Sequence, residues 1–171
     1  MNTQAKAKFS TKQLVVMAMI AAMGIVLEKY MGNIGPKNFR LPSSYIAMAM
    51  SGMLYGPVPS MLVATIIDIL ANLGSDFNPV FTVIACVQGL IYGLTMHKQS
   101  SKVPELLQAI VSQGIVTVLI YWTANTLALY FMYGVPITPI KFLRTLVTYP
   151  LQVYTLYLLL RYRKPFEQLA L

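Results

Sequence analysis

The chain has 171 residues, 57% of them hydrophobic and 11% charged, with 13 Lys and Arg against 5 Asp and Glu and a formal net charge of +8. Charged residues make up about a quarter of a soluble domain, so this composition, with a mean hydropathy of +0.63, excludes a soluble globular domain and places the chain in a lipid bilayer. The positive excess is no nucleic-acid footprint, because it flanks apolar runs: Lys6, Lys8 and Lys12 precede the first, Lys98 and Lys102 lie at mid-chain, and Arg161, Arg163 and Lys164 follow the last.

Residues 11–31 form the first predicted span, which is too long for a signal-peptide core and has no A-x-A cleavage site after it. It ends on Glu28, Lys29 and Tyr30, a sequence suited to an interface. Ala18 and Ala22 lie on one face of it, near Ala21 and Gly24, and small residues at that spacing admit a second helix, in this protein or in a partner. On residues alone, packing within the protein is preferred. The loop 32–44 carries Lys37 and Arg40, and alternation from a cytoplasmic N-terminus puts it outside, against the positive-inside bias. That marks Arg40 for function, while headgroup contact suits Lys37.

The second span, 45–55, is short and breaks at Gly56-Pro57. The third, 59–73, carries Asp68 and Asn72 on one face. A carboxylate in an apolar run is costly unless it is paired or faces a polar cavity, which makes Asp68 a functional candidate. The fourth span, 80–96, has Phe81 near its outer end and Gln88 near its middle. Gly52-Met53-Leu54-Tyr55-Gly56 and Gly89-Leu90-Ile91-Tyr92-Gly93 repeat a G-x-x-x-G pattern, as a faint parallel repeat or as two helix-packing faces, of which packing is preferred.

The fifth span, 104–130, holds Gln113, Tyr121, Trp122 and Asn125 and is long enough that it must tilt or project. The sixth, 139–161, carries Lys141 and Arg144 in its first turns, then Tyr149, Pro150 and Gln152. The predicted fold class is an all-α integral membrane protein: one domain over 1–171, six transmembrane helices, both termini cytoplasmic. Cys86 is the sole cysteine, so the chain forms no internal disulfide.

Counted from the outer helix ends, one layer gathers Arg40, Tyr45, Asp68, Asn72, Phe81, Trp122, Asn125, Lys141, Arg144 and Tyr149. Aromatic faces, amide and carboxylate edges and cations suit a flat heteroaromatic ligand with an anionic arm. The competing reading is an interfacial aromatic belt with snorkelling cations. The belt fits Tyr30, Tyr130 and Tyr133; for Asp68 and Arg144, set deeper, a binding role or a mutual ion pair is preferred. No catalytic residues, cofactor or metal are expected. His97, the single histidine, sits in a polar loop beside Lys98, and no nucleophile constellation or G-x-x-x-x-G-K-[ST] loop occurs. Without paired broken helices in inverted halves, uphill transport requires a partner's energy.

The ordered motifs resemble the folate-type branch of the substrate-binding S components of energy-coupling factor (ECF) vitamin transporters. They are the pair Ala18 and Ala22, F-R-L-P-S-S-Y-I-A-M-A-M-S-G-M-L-Y-G-P (39–57), Asp68 in T-I-I-D-I-L, F-N-P-V-F-T (77–82) before Q-G-L-I-Y-G (88–93), and I-K-F-L-R-T-L-V-T-Y-P-L-Q (140–152). The resemblance implies a multi-pass subunit of a bacterial plasma membrane that captures a vitamin near the outer surface. It implies docking through Ala18 and Ala22 on a transmembrane coupling subunit driven by two ATPases, and toppling to release the load. Partner contact then becomes the preferred role for the alanine pair. Folate is the first choice of vitamin, because cations at the pocket mouth meet a glutamate tail. Two departures fall near the pocket: Ala47 stands where the pattern has proline, and Asn78-Pro79-Val80-Phe81 where it has an F-P-G-F-like loop. They leave open a smaller vitamin or precursor, such as hydroxymethylpyrimidine or a pyridoxine-like compound. A reading of another class is a membrane assembly protein without a small-molecule ligand.

Overall fold

Backbone polar groups in hydrocarbon have no water to bond, so an apolar run satisfies them internally as a helix. A computed structural model describes residues 9–31, 43–74, 77–97 and 103–170, and its regular elements are helical. They are α1 (Thr11–Met31), α2 (Tyr45–Tyr55), α3 (Pro57–Asn72), α4 (Pro79–Met96), α5 (Glu105–Val116), a π-helical stretch (Thr117–Ala124), α6 (Asn125–Tyr133), α7 (Pro139–Arg161) and α8 (Arg163–Ala170). Among the described residues, Thr11–Tyr30, Pro79–Met96 and Glu105–Tyr133 are long and apolar enough to cross a membrane, and α2 and α3 are shorter apolar helices.

Local chemistry sets the boundaries. Gly56, at φ 89°, separates α2 from α3. Pro57 then opens α3 two residues before the expected start, where its missing N–H is not needed. Asn78 caps α4 by accepting a 3.0 Å hydrogen bond from the Val80 backbone N–H. The fifth run continues to Tyr133, beyond the expected 130, and stops at Gly134 with φ 62°. Its centre is not a plain α-helix: the hydroxyls of Thr123 and Thr126 donate to the carbonyls of Val118 and Tyr121, five residues back. Such π-helical turns often mark functional sites.

Helix α8 has no counterpart in the sequence reading. The Arg163 guanidinium donates to the carbonyls of Met96, at 3.4 Å, and His97, at 2.6 Å, and pairs with Glu167. A cation on the free carbonyls at the end of α4 complements the helix dipole.

The centre of the packing is a seam of glycines. A Cβ on Gly93 would stand 2.2 Å from the Pro57 Cα, one on Gly52 would stand 2.8 Å from the Gly93 nitrogen, and one on Gly89 would stand 2.6 Å from the Ser60 carbonyl oxygen. Both G-x-x-x-G segments are therefore packing faces inside this chain, used where α2, α3 and α4 meet. On α1 the buried side is Met17, Ile20, Ala21 and Gly24, whereas Ala18 and Ala22 are exposed on another side. Of the small residues in α1, Ala21 and Gly24 serve internal packing; the preference on residues alone for Ala18 and Ala22 in that role is not what the structure has.

Candidate functional site

Two polar groups occupy the bundle at different depths. The first lies toward the end where α3 finishes and α4 begins. There the Asp68 carboxylate accepts a 2.7 Å hydrogen bond from the Thr82 hydroxyl and a 3.1 Å bond from Asn72 Nδ2, which also reaches the Asp68 carbonyl oxygen at 2.9 Å. Asp68 and Asn72 thus act together, as their spacing implied. The ion pair considered between Asp68 and Arg144 is not formed, because neutral donors hold the carboxylate on α3 and α4; Arg144 is half-buried on α7.

Aromatic rings accompany this group. Phe81 stacks on Tyr133 with centroids 6.3 Å apart and planes 22° apart, and Asn78 Nδ2 donates to the Tyr133 hydroxyl at 3.4 Å. Trp122, in the π-helical stretch, meets Phe142 edge-on at 5.6 Å and 73°. Its indole Nε1 is buried and has no hydrogen-bond partner among the described residues. A buried donor left unmade costs about 1–3 kcal/mol, so the position is one where an acceptor from a ligand gains most. Asn125, three residues on, is half-buried. Arg40 and the side chain of Lys141 lie outside the described residues.

The second group runs through buried amides. The Tyr92 hydroxyl donates 2.8 Å to Gln113 Oε1, and Gln113 Nε2 donates 2.7 Å to Gln152 Oε1. The Thr155 hydroxyl donates 2.8 Å to the Gln152 carbonyl oxygen, which leaves its oxygen to accept from the Tyr45 hydroxyl. Trp122–Phe142 and Gln113–Gln152 join the same two helical runs, and at 1.5 Å per residue they are about 14 Å apart along the axis. Tyr149 donates to the Ile110 carbonyl oxygen at 2.9 Å, also well below Trp122. The single layer expected of all ten residues is thus corrected: Tyr45 and Tyr149 belong to the deeper level. The Tyr45 hydroxyl bonds Thr155, far along α7, and the Tyr149 hydroxyl bonds Ile110 on α5, so both are drawn farther in.

Sequence reasoning noted Gln88, Gln113 and Gln152 but gave them no role. An amide in an apolar run was the available signal. Gln88 Nε2 donates to the Tyr121 hydroxyl at 3.3 Å, linking α4 to the π-helical stretch. Thr82 and Phe142 carry no signal in isolation, and Tyr133, read from the sequence as a belt residue, stacks on Phe81 and meets Asn78.

An all-helical membrane bundle with apolar outer surfaces, clustered aromatic rings and an orphaned indole donor defines a membrane-embedded small-molecule binder, with no metal-binding cluster among the described residues. Residues 12–164 match the family described as ECF transporter, substrate-specific component, and the chain belongs to that family. It is a substrate-binding transport component and not an enzyme. The chain is 30% identical over 143 residues to the folate transporter FolT of Streptococcus mutans, spanning 80% of this chain and 77% of that protein. It is 29% identical over 166 residues to FolT of Leuconostoc mesenteroides, spanning 90% and 86%. A crystal structure of FolT bound with folic acid superposes with a TM-score of 0.78 at 25% identity, covering 88% of this chain and 92% of that one.

Proposed function

We propose that this chain is the folate-capturing subunit of a bacterial ECF importer, with six spans in one domain and both termini in the cytoplasm. The observation that carries this reading is likeness over most of the length of proteins named as folate transporters, one of them solved with folic acid. The site chemistry supports it: the Trp122 Nε1 donor without a partner, the Asp68, Asn72 and Thr82 group, and the Phe81 and Tyr133 rings suit a flat, polar-edged heterocycle. Arg144, with Arg40 and Lys141 on the same side of the sequence map, suits the glutamate tail. Asn125 completes the proposed contact set at this level, while Tyr45 and Tyr149, whose hydroxyls bond Thr155 and Ile110, lie below it.

Energy comes from outside the subunit. Ala18 and Ala22, exposed on α1, form the contact with a transmembrane coupling subunit driven by two ATPases. The subunit resides in the bacterial plasma membrane. Calorimetry on the purified protein tests the reading: folate gives saturable heat, and Arg144→Ala weakens it. Heat with hydroxymethylpyrimidine and none with folate transfers the assignment to the smaller vitamin.

A further inference from the structure

The inward side of α1 does not end with its small residues. Met17, Ala21 and Gly24 are buried, and the next position on that side is Glu28. At Gly24 the approach is close: an added Cβ would stand 2.3 Å from Ile67 Cδ1 and 2.9 Å from Ala47 Cβ. Just above this contact, Glu28 Oε2 is buried and has no hydrogen-bond partner among the described residues. Glu28 was read from the sequence as an interfacial residue, yet it occupies the interior side of the helix.

A carboxylate in this position is unfavourable by itself. Glu28 is half-buried with one oxygen enclosed and unpartnered among the described residues, and ionisable groups within membrane spans are kept where they act. The Tyr121 hydroxyl lies within electrostatic reach of Glu28, as Tyr45 lies within reach of Tyr121. Tyr121 already accepts from Gln88, so its own proton is available to a further acceptor. Trp122, with its orphaned Nε1, is the neighbouring residue on the π-helical stretch. α4 and the π-helical stretch are thus joined by the Gln88–Tyr121 bond, and on α1 and on that stretch one acceptor, Glu28 Oε2, and one donor, Trp122 Nε1, are enclosed without a partner among the described residues.

We infer that Glu28 is a ligand-orienting residue that takes the donor edge of the vitamin's heteroaromatic ring, an exocyclic amino group beside a ring N–H. A carboxylate accepts two parallel N–H bonds from such an edge, in the geometry it uses with a guanidinium. Trp122 Nε1 and the Tyr121 hydroxyl then serve acceptors elsewhere on the ring. This rests on the proposed folate function and adds to it an orientation: amino-heterocycle toward α1, anionic tail toward α7. It also names a selectivity. A ring with methyl or hydrogen in place of the amino group leaves one Glu28 oxygen buried and unpaired.

The test uses the full-length protein in detergent with two ligands, folate and an analogue whose 2-amino group is replaced by methyl. Wild type is expected to bind folate roughly 10- to 100-fold more tightly than the analogue, the range for a hydrogen bond to a charged group. Glu28→Gln presents a donor to one of the ring's donors, so it is expected to lose folate affinity by a similar factor and most of the preference. Its thermal midpoint without ligand is expected to equal or exceed that of wild type, because the enclosed, unpartnered carboxylate oxygen is replaced by a neutral amide. Equal folate affinity in Glu28→Gln, or a preserved preference, overturns the inference. Wild type binding both ligands alike overturns it without any variant. Failure of wild type to bind either ligand counts against the folate reading itself.

Discussion

Thr82 on α4 donates a 2.7 Å hydrogen bond to Oδ2 of Asp68 on α3, while Asn72, one turn from Asp68, covers Oδ1 at 3.1 Å. The carboxylate is thus held from two helices at once, and among the described residues no cation pairs with it. Thr82→Val keeps the shape of the side chain and removes only the inter-helix donor. A hydrogen bond to a charged group is worth about 1.5–3 kcal/mol. If Asp68 contacts ligand, the expected loss of folate affinity is roughly tenfold, read by calorimetry, and Thr82→Ser is expected to restore it. Unchanged affinity in Thr82→Val would assign Asp68 to helix packing alone.

The glycine seam makes a sharper statement about stability. At Gly93 an alanine methyl would meet the Pro57 backbone at 2.2 Å, and backbone cannot rotate aside as a flexible side chain does. Overpacking of this kind costs about 1–3 kcal/mol or more. Gly93→Ala is therefore expected to lower the thermal midpoint in detergent by several degrees. Gly74→Ala, where nothing lies within 4 Å of the added carbon but φ is 90°, is expected to cost about 1–2 kcal/mol through backbone conformation alone. Equal effects at the two sites would mean that α3 and α4 are not in the close contact described.

Much of this architecture was legible because hydrocarbon imposes simple rules. Apolar runs had to be helices, Gly56-Pro57 had to separate two of them, and Asp68 with Asn72 had to share a face. What escaped depended on depth and partnership. Tyr45 lies deep because its hydroxyl bonds Thr155 far along α7, and no periodicity in its own sequence names that partner. The π-helical stretch is built from Thr-Val-Leu-Ile-Tyr-Trp-Thr-Ala, a composition equally suited to an α-helix. Its register is seen only in the backbone, where the Asn125 N–H bonds the Ile120 carbonyl five residues back. Glu28 was read from its nearness to Lys29 and Tyr30, whereas the buried positions before it on α1 determine which way it faces. Helix α8 escaped because it is short and polar; Arg163 becomes informative only when the end of α4 is seen beside it.

The amide chain Tyr92, Gln113 and Gln152 joins α4, α5 and α7 through bonds of 2.8 and 2.7 Å, with Gln113 and Gln152 0% and 3% exposed. With water excluded, each group depends on the next. Gln113→Leu strands the Tyr92 hydroxyl and the Gln152 amide together, and each orphan costs about 1–3 kcal/mol. The single substitution is expected to lower the thermal midpoint more than Gln152→Leu does, since the latter strands fewer groups. The double variant is expected to be no worse than Gln113→Leu alone. Additive losses would contradict a shared network.

Ala18 and Ala22 are exposed on α1 in a run of exposed apolar residues that includes Val15, Met19 and Val26. Lipid alone places no demand for small side chains on such a surface, whereas close approach of a partner helix does. Ala18→Trp and Ala22→Trp are therefore expected to leave folate affinity of the isolated subunit within about twofold, because neither position contacts the buried side of α1. In cells carrying the coupling subunit and ATPases, uptake is expected to fall at least tenfold, since a bulky ring holds two helices several ångströms apart. Two measurements on the same variant, calorimetry for capture and radiolabelled uptake for delivery, separate the functions. A loss of both would place these alanines in internal packing or in the binding site; retention of both would leave the α1 surface to lipid and require the coupling contact to lie elsewhere.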